Sequence, residues 1–181
     1  MPPTKPATPS KVMAKSTTTS IFVTWTQAAA TQVPILGYKL FLSAGTSQYT
    51  LVYNNTRNPL ITEYNITGLM TGQVYQITLV AVNFNGDSQM SDPLVKYSCV
   101  EPSMPSPPVR VTGDRTDLTL SWLIPKNDGG CPLTGFNLYR DNGAGGSISI
   151  EVDPLAIDSR PSLTQHNLVF LPADTGKLFR F

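Results

Sequence analysis

The sequence predicts an all-β protein built as two β-sandwich units in tandem, and three observations carry that reading. Apolar residues alternate at period two in short runs, the pattern of a strand that buries one side. The clearest such run passes from Tyr75 through Ile77 and Leu79 to Ala81. Sixteen prolines, thirteen glycines and thirty-six Ser plus Thr residues divide the 181-residue chain into short segments with polar outer faces. The same chemistry also recurs about a hundred residues later, as in a repeated module. Trp25 is matched by Trp122 at an offset of 97, and Gly37-Tyr38 by Gly135-Phe136 at 98. Gly72 and Tyr75 are matched by Gly176 and Phe179 at 104. A constant chemistry with a growing offset means one fold repeated, with extra loop in the middle of the second copy.

Taken in order, residues 1–9 hold four prolines and form a stiff, extended, polyproline-like lead-in. The first module is expected over 10–100. Ile21, Val23 and Trp25 point inward along its early strand, with Phe22 and Thr24 outside. A polar loop and the entry Pro34-Ile-Leu-Gly-Tyr-Lys-Leu40 follow. Leu69, Gly72 and Tyr75 then make a turn with a ring at its mouth, feeding the strand that runs to Asn83. In sandwiches such a tyrosine ties its hydroxyl to upstream backbone, the tyrosine corner. A second proline-rich stretch, 101–108, links to the second module, expected over 109–181. There Leu118, Leu120 and Trp122 alternate inward, and Pro132-Leu-Thr-Gly-Phe-Asn-Leu138 supplies the matching strand entry. The expected core therefore contains Trp25, Tyr38, Leu69, Tyr75, Trp122, Phe136 and Phe179.

Together the Pro-rich start, the Trp strand, Pro-x-x-Gly-Tyr, Leu-x-x-Gly-x-x-Tyr and Ala81-x-Asn83-x-x-Gly86 resemble the fibronectin type III domain. The resemblance implies tandem immunoglobulin-like sandwiches. It runs through the whole first copy and through the second up to Phe179, where Phe replaces the corner tyrosine. The hydroxyl tie is lost there, while the ring is expected to keep packing. By analogy with residues 76–100, strands F and G of the second copy are missing, which predicts a fragment of a longer chain. The resemblance also implies two free thiols at Cys99 and Cys131, because domains of this family usually fold without disulfides. A bridge across the interdomain hinge is the alternative.

Composition narrows the function. Six basic and four acidic residues over 1–101, and seven and eight over 102–181, leave a net charge of +1. Neither half has the cationic excess that phosphate backbones demand, so no nucleic-acid partner is expected. No run of 18 apolar residues exists, so this segment does not insert in a membrane. The N-terminus has no apolar signal-peptide core. No enzyme activity, cofactor, metal or small-molecule substrate is expected. The one histidine, His166, reads as a surface residue, with no Gly-x-Ser-x-Gly elbow beside it. One His with two Cys does not supply four zinc ligands. Gly143-Ala-Gly-Gly146 lacks a Gly-Lys-Ser/Thr ending and reads as a loop between strands. Asp128, Asp141, Asp153 and Asp158 read as solvated turn carboxylates. Asn54 and Asn65 stand in Asn-x-Thr sequons as candidate N-glycosylation acceptors, and Asn65, between inward-facing Tyr64 and Ile66, points to solvent. Ten asparagines in a chain that is about a fifth Ser or Thr give roughly two sequons by chance, so their number carries no weight.

The expected function is that of structural spacer and protein-binding modules of a larger protein, contacting other proteins or neighbouring domains. Three settings stay open. A cell-surface or secreted adhesion-type array suits the low charge and the Ser/Thr-rich faces. An intracellular structural array, as in muscle or ciliary filaments, suits unpaired cysteines. An accessory module of an extracellular enzyme is the third.

Overall fold

The structure, a computed structural model, describes residues 1–29, 32–45, 48–174 and 176–181. The chain folds as two compact units. One comprises Met1–Glu101 with Gly129–Cys131, and the other Pro102–Asp128 with Pro132–Phe181.

In the first unit, β1 (Ser10–Lys11), β2 (Ile21–Thr24) and β5 (Glu63–Ile66) form one antiparallel sheet in the order β1-β2-β5. The other sheet runs β4 (Thr50–Asn55), β3 (Gly37–Ser43), β6 (Val74–Asn83), with β7 (Gly86–Asp87) and β8 (Leu94–Tyr97) sharing the far edge of β6. Period two explains the core. Ile21 and Val23 are fully buried, and Trp25 continues their face. Phe22, on the other face, lies under the Lys15 ammonium, 4.4 Å from the ring centroid. Tyr38 and Leu40 from β3 meet Tyr75, Ile77, Leu79 and Ala81 from β6 in a single cluster with Ile66 and Leu69. Trp25 sets its edge against Tyr38, with centroids 5.7 Å apart.

β6 is the longest strand and is bonded along both edges. Its ladder to β3 runs from Gly37↔Val82 to Ser43↔Gln76. On its other side the gap between β7 and β8 is closed by serine hydroxyls. The amides of Ala81 and Leu79 each donate at 3.0 Å, to Ser88 Oγ and Ser91 Oγ. Residues Ile77 through Asn83 are consequently all buried, on both faces of the strand. The tyrosine corner forms: the Met70 amide donates to the Tyr75 hydroxyl at 3.0 Å.

Two recurring sequence features acquire causes. The glycine of Pro-x-x-Gly-aromatic stands where neighbouring backbone passes too closely for a side chain. A Cβ on Gly37 would fall 1.6 Å from the Asn55 carbonyl oxygen, and one on Gly135 2.5 Å from the Ser159 amide nitrogen. The lead-in packs against its own unit. Pro3, Pro6 and Pro9 are buried while the residues between them are exposed, as a polyproline helix of three residues per turn requires. The arm is fastened at Met1, whose carbonyl accepts from Asn83 Nδ2 at 3.1 Å, and by a 2.7 Å Lys5–Asp92 ion pair. In the second unit the prolines at the same spacing differ: Pro102 and Pro105 are exposed and Pro108 is half-buried.

That unit has β9 (Val109–Gly113), β10 (Asp117–Ser121) and β13 (Gln165–Val169) in the order β9-β10-β13. Beside them are a hairpin of β11 (Tyr139–Arg140) and β12 (Ile150–Glu151) and one helical turn, α1 (Pro154–Ile157). Leu120, Trp122, Leu138, Val152, Ile157 and Leu168 make the core, with Phe136 packed against it. The expected strand entry at 132–138 is not strand; only Tyr139 and Arg140 pair. The reason is hydrogen bonding. In the first unit β3 has partners on both edges, whereas β11 has a single strand neighbour among the described residues. Phe179 is likewise corrected. It lies outside the core cluster, stacked on Phe170 at 5.1 Å with the Arg140 guanidinium 4.7 Å from its ring, while Phe181 packs against the core. Without a hydroxyl to bind upstream backbone, nothing draws the ring to the corner position.

The corner makes a direct prediction. Tyr75→Phe removes the acceptor of the Met70 amide and should lower the stability of the first unit by about 1–2 kcal/mol in chemical denaturation, with the fold unchanged.

Candidate functional site

One pole of the first unit gathers several side-chain and backbone hydrogen bonds and a disulfide. It is built around the turn Leu69–Gln73 that feeds β6. Ser98, just past β8, ties itself to this turn three ways. Its hydroxyl donates to the Met70 carbonyl, its amide to Gln73 O at 3.0 Å, and its carbonyl accepts from the Gly72 amide at 3.2 Å. Lys11, at the end of β1, caps the same strand end, donating to Tyr97 O at 2.9 Å and Cys99 O at 2.6 Å. Burial, with Lys96 nearby, pushes the Lys11 ammonium below its usual pKa.

Cys99 is bonded to Cys131, with Cα atoms 5.7 Å apart. This corrects the expectation of two free thiols. The family habit of folding without disulfides gives way here because residues 129–131 pack within the first unit, bringing the second cysteine within bonding reach.

In the second unit two further expectations are corrected. Asp141 is not a solvated turn carboxylate; it is fully buried. Its Oδ2 accepts from Arg180 Nε at 2.9 Å, and its Oδ1 from the amides of Gly143 at 3.0 Å and Arg180 at 3.1 Å. Arg180 also donates to the Gly146 carbonyl, so Gly143–Gly146 is a loop folded over an ion pair with a buried carboxylate and a solvent-exposed guanidinium. Side-chain hydrogen bonding from Arg180, opposed by burial and aided by the two amides and the Arg180 charge, holds the Asp141 carboxyl below the usual carboxylate range. His166 is not a free surface residue either. Its side chain is 17% exposed and its Nε2 stands 2.9 Å from Asp153 Oδ2. Among the described residues no serine or threonine hydroxyl is bonded to the ring, so a nucleophile–base pair is not assembled there.

The described residues contain no group of three or more His, Cys, Asp and Glu that could hold a metal ion, and no helix long and apolar enough to cross a membrane. Recesses open in the second unit, a small one of about 80 Å³ lined by Pro105, Pro108, Trp122, Phe136 and Leu138. A larger one, of about 500 Å³, is lined by Arg110, Asp114, Arg115, Asp117, Asp174 and Lys177, which mix both signs of charge. The candidate acceptors Asn54, on β4, and Asn65, on β5, are both exposed. Residues unremarked in the sequence prove central to the two sites: Lys11, Ser98, Gly129, Gly130 and Arg180. The Gly-Gly immediately before Cys131 was the one visible signal for any of them.

A three-strand sheet facing a four-strand sheet with a split last edge strand, a tryptophan immediately after the second strand and a tyrosine corner define an immunoglobulin-like β-sandwich. The family model for the fibronectin type III domain matches residues 6–97, and the chain belongs to that family. Among curated relatives it is similar to myomesin-2 of Homo sapiens, 32% identical over 139 residues, and to "M-protein, striated muscle" of Gallus gallus, 30% identical over 137. It is also similar, at 27% identity over 131 residues, to a cell adhesion molecule-related protein of Xenopus laevis. These matches cover 74%, 72% and 67% of this chain. The chain spans only about a tenth of the relatives' own length, 9%, 9% and 10% respectively.

The Asp141–Arg180 pair should show in the acid limb. With the folded-state pKa of Asp141 depressed, its contribution to stability is complete above the unfolded carboxylate value of about 3.9 and is lost as pH falls through the lower folded one. The second unit should therefore destabilise on acidification from pH 5 to pH 2 more steeply in the parent protein than in Asp141→Asn, measured by urea denaturation at each pH.

Proposed function

We propose that this chain supplies non-catalytic spacer and protein-binding modules to a larger multidomain protein that is secreted or displayed at a cell surface. The observation that carries the compartment is the Cys99–Cys131 disulfide, because such bonds persist in oxidising surroundings and are rare in the cytosol. Likeness to a protein named for cell adhesion agrees with it. The binding role rests on what the fold offers. Loops and strand edges are exposed, large apolar side chains such as Phe84, Val95 and Tyr97 stand in solvent on the first unit, and the polar clusters of both units are spent on structure. The partners are other proteins or neighbouring domains of the same chain.

A second reading has its own support. The relatives at 32% and 30% identity are myomesin-2 and a protein named for striated muscle, which favours an intracellular structural array.

Glycan on Asn54 or Asn65 separates the two. Protein taken from its native source should carry N-linked mass on one or both, removable by an N-glycosidase and mapped by peptide mass spectrometry. Both asparagines unmodified, together with reactive thiols at Cys99 and Cys131, would favour the intracellular array instead.

A further inference from the structure

The Cys99–Cys131 disulfide joins the end of the last strand of the first unit to a segment 32 positions further along the chain. That segment, Gly129–Cys131, is fitted to the unit it joins. The Val100 amide donates to the Gly129 carbonyl at 2.9 Å. Gly129 and Gly130 both adopt left-handed backbone, at φ 75° and 85°, where side-chain-bearing residues are strained. A Cβ on Gly129 would stand 2.1 Å from the Val100 carbonyl oxygen, and one on Gly130 2.6 Å from Thr71 Cγ2 and 3.0 Å from Thr18 Cγ2. Gly72 faces the segment from the other side, where an added Cβ would lie 3.1 Å from the Gly130 carbonyl oxygen. The surface that receives the two glycines is the turn of the tyrosine corner itself.

The same features make the docking dependent on the covalent bond. Two adjacent glycines lose more backbone freedom on ordering than any other pair. The segment is already tethered through the chain, and the disulfide shortens that tether, raises the effective concentration further and offsets part of that loss. Opening the bond removes this advantage while the entropy cost stays.

We propose that Cys99–Cys131 is a reversible redox latch, which holds Gly129–Cys131 on the Thr18, Thr71 and Gly72 surface when oxidised and releases it when a dithiol reduces the bond. In the step, one thiolate of the dithiol attacks a cysteine sulfur, breaking the S–S bond and forming a mixed disulfide. The second thiolate of the same reductant displaces the remaining cysteine. The dithiol gives up two electrons and becomes a disulfide, and its two protons end on Cys99 and Cys131. Release opens a covalent ring spanning residues 99–131, which includes the proline-rich stretch 101–108. The latch does not rest on the secreted or cell-surface setting, because it is read in the isolated protein.

Hydrogen exchange on the full chain, with and without a dithiol reductant, tests it. The Val100 amide, which donates to Gly129, should lose protection roughly tenfold on reduction and regain it on reoxidation, while the Leu79 amide in β6 stays protected. Cys131→Ser should exchange like the reduced protein. Gly130→Ala, with the bond intact, should lower the dithiol concentration for half-reduction roughly fivefold, because its Cβ strains the docked form. Unchanged Val100 protection on reduction, or an unchanged reduction midpoint in Gly130→Ala, would overturn the latch. So would joint loss of Val100 and Leu79 protection, which would make the bond a staple of the whole sandwich, or free thiols in protein isolated under oxidising conditions.

Discussion

The hydrogen-bonded ladder between β3 and β6 is the constraint from which the rest of the first unit follows. It fixes seven residues of each strand in register, Gly37 to Ser43 against Val82 to Gln76. That register places Tyr38 and Leu40 on the same inner face as Ile77, Leu79 and Ala81. Because a one-residue slip would turn every one of these side chains outward, the ladder and the core specify each other. The tyrosine corner sets where β6 begins, and the close pass of Asn55 over Gly37 sets where β3 begins.

The second unit shows what the same sequence pattern does with less of that ladder. Its β10 and β13 pair over five residues with Trp122 at the end, closely following β2 and β5. Yet β11 forms only two residues of strand. Asp141 and Arg180 stand in the chain where Ser43 and Gln76 form the last rung of the first unit's ladder. Here the Asp141 amide donates to the Arg180 carbonyl at 3.0 Å. The carboxylate–guanidinium contact adds a charged clamp at that rung.

Much of this was legible in the chain. Period-two alternation located the inner faces of β2, β6 and β10, and the spacing of Leu69, Gly72 and Tyr75 located the corner turn. Outward placement of Asn65 followed from its neighbours Tyr64 and Ile66. What escaped notice depended on contacts distant in sequence. The pairing of Cys99 with Cys131 needs a Cα separation that only tertiary packing supplies. Asp141 looks like any turn carboxylate until Arg180, 39 residues on, is placed beside it. The strand expected over 132–138 had the correct side chains but lacked a second backbone partner, which no motif records. The burial of Pro3, Pro6 and Pro9 follows a period of three that the additional Pro2 masks in the sequence.

That proline arm bears on how the molecule behaves in company. A sheet edge left bare is a template for another chain, and covering it with an ordinary strand merely moves the template outward. The arm is held to its unit by buried rings and by fastenings at Asn83 and Asp92, without strand pairing of its own. Every third amide proton is missing from it, so no incoming chain can run a continuous ladder along its length. The first unit therefore presents, along this arm, a backbone that a neighbouring strand cannot join by continuous pairing.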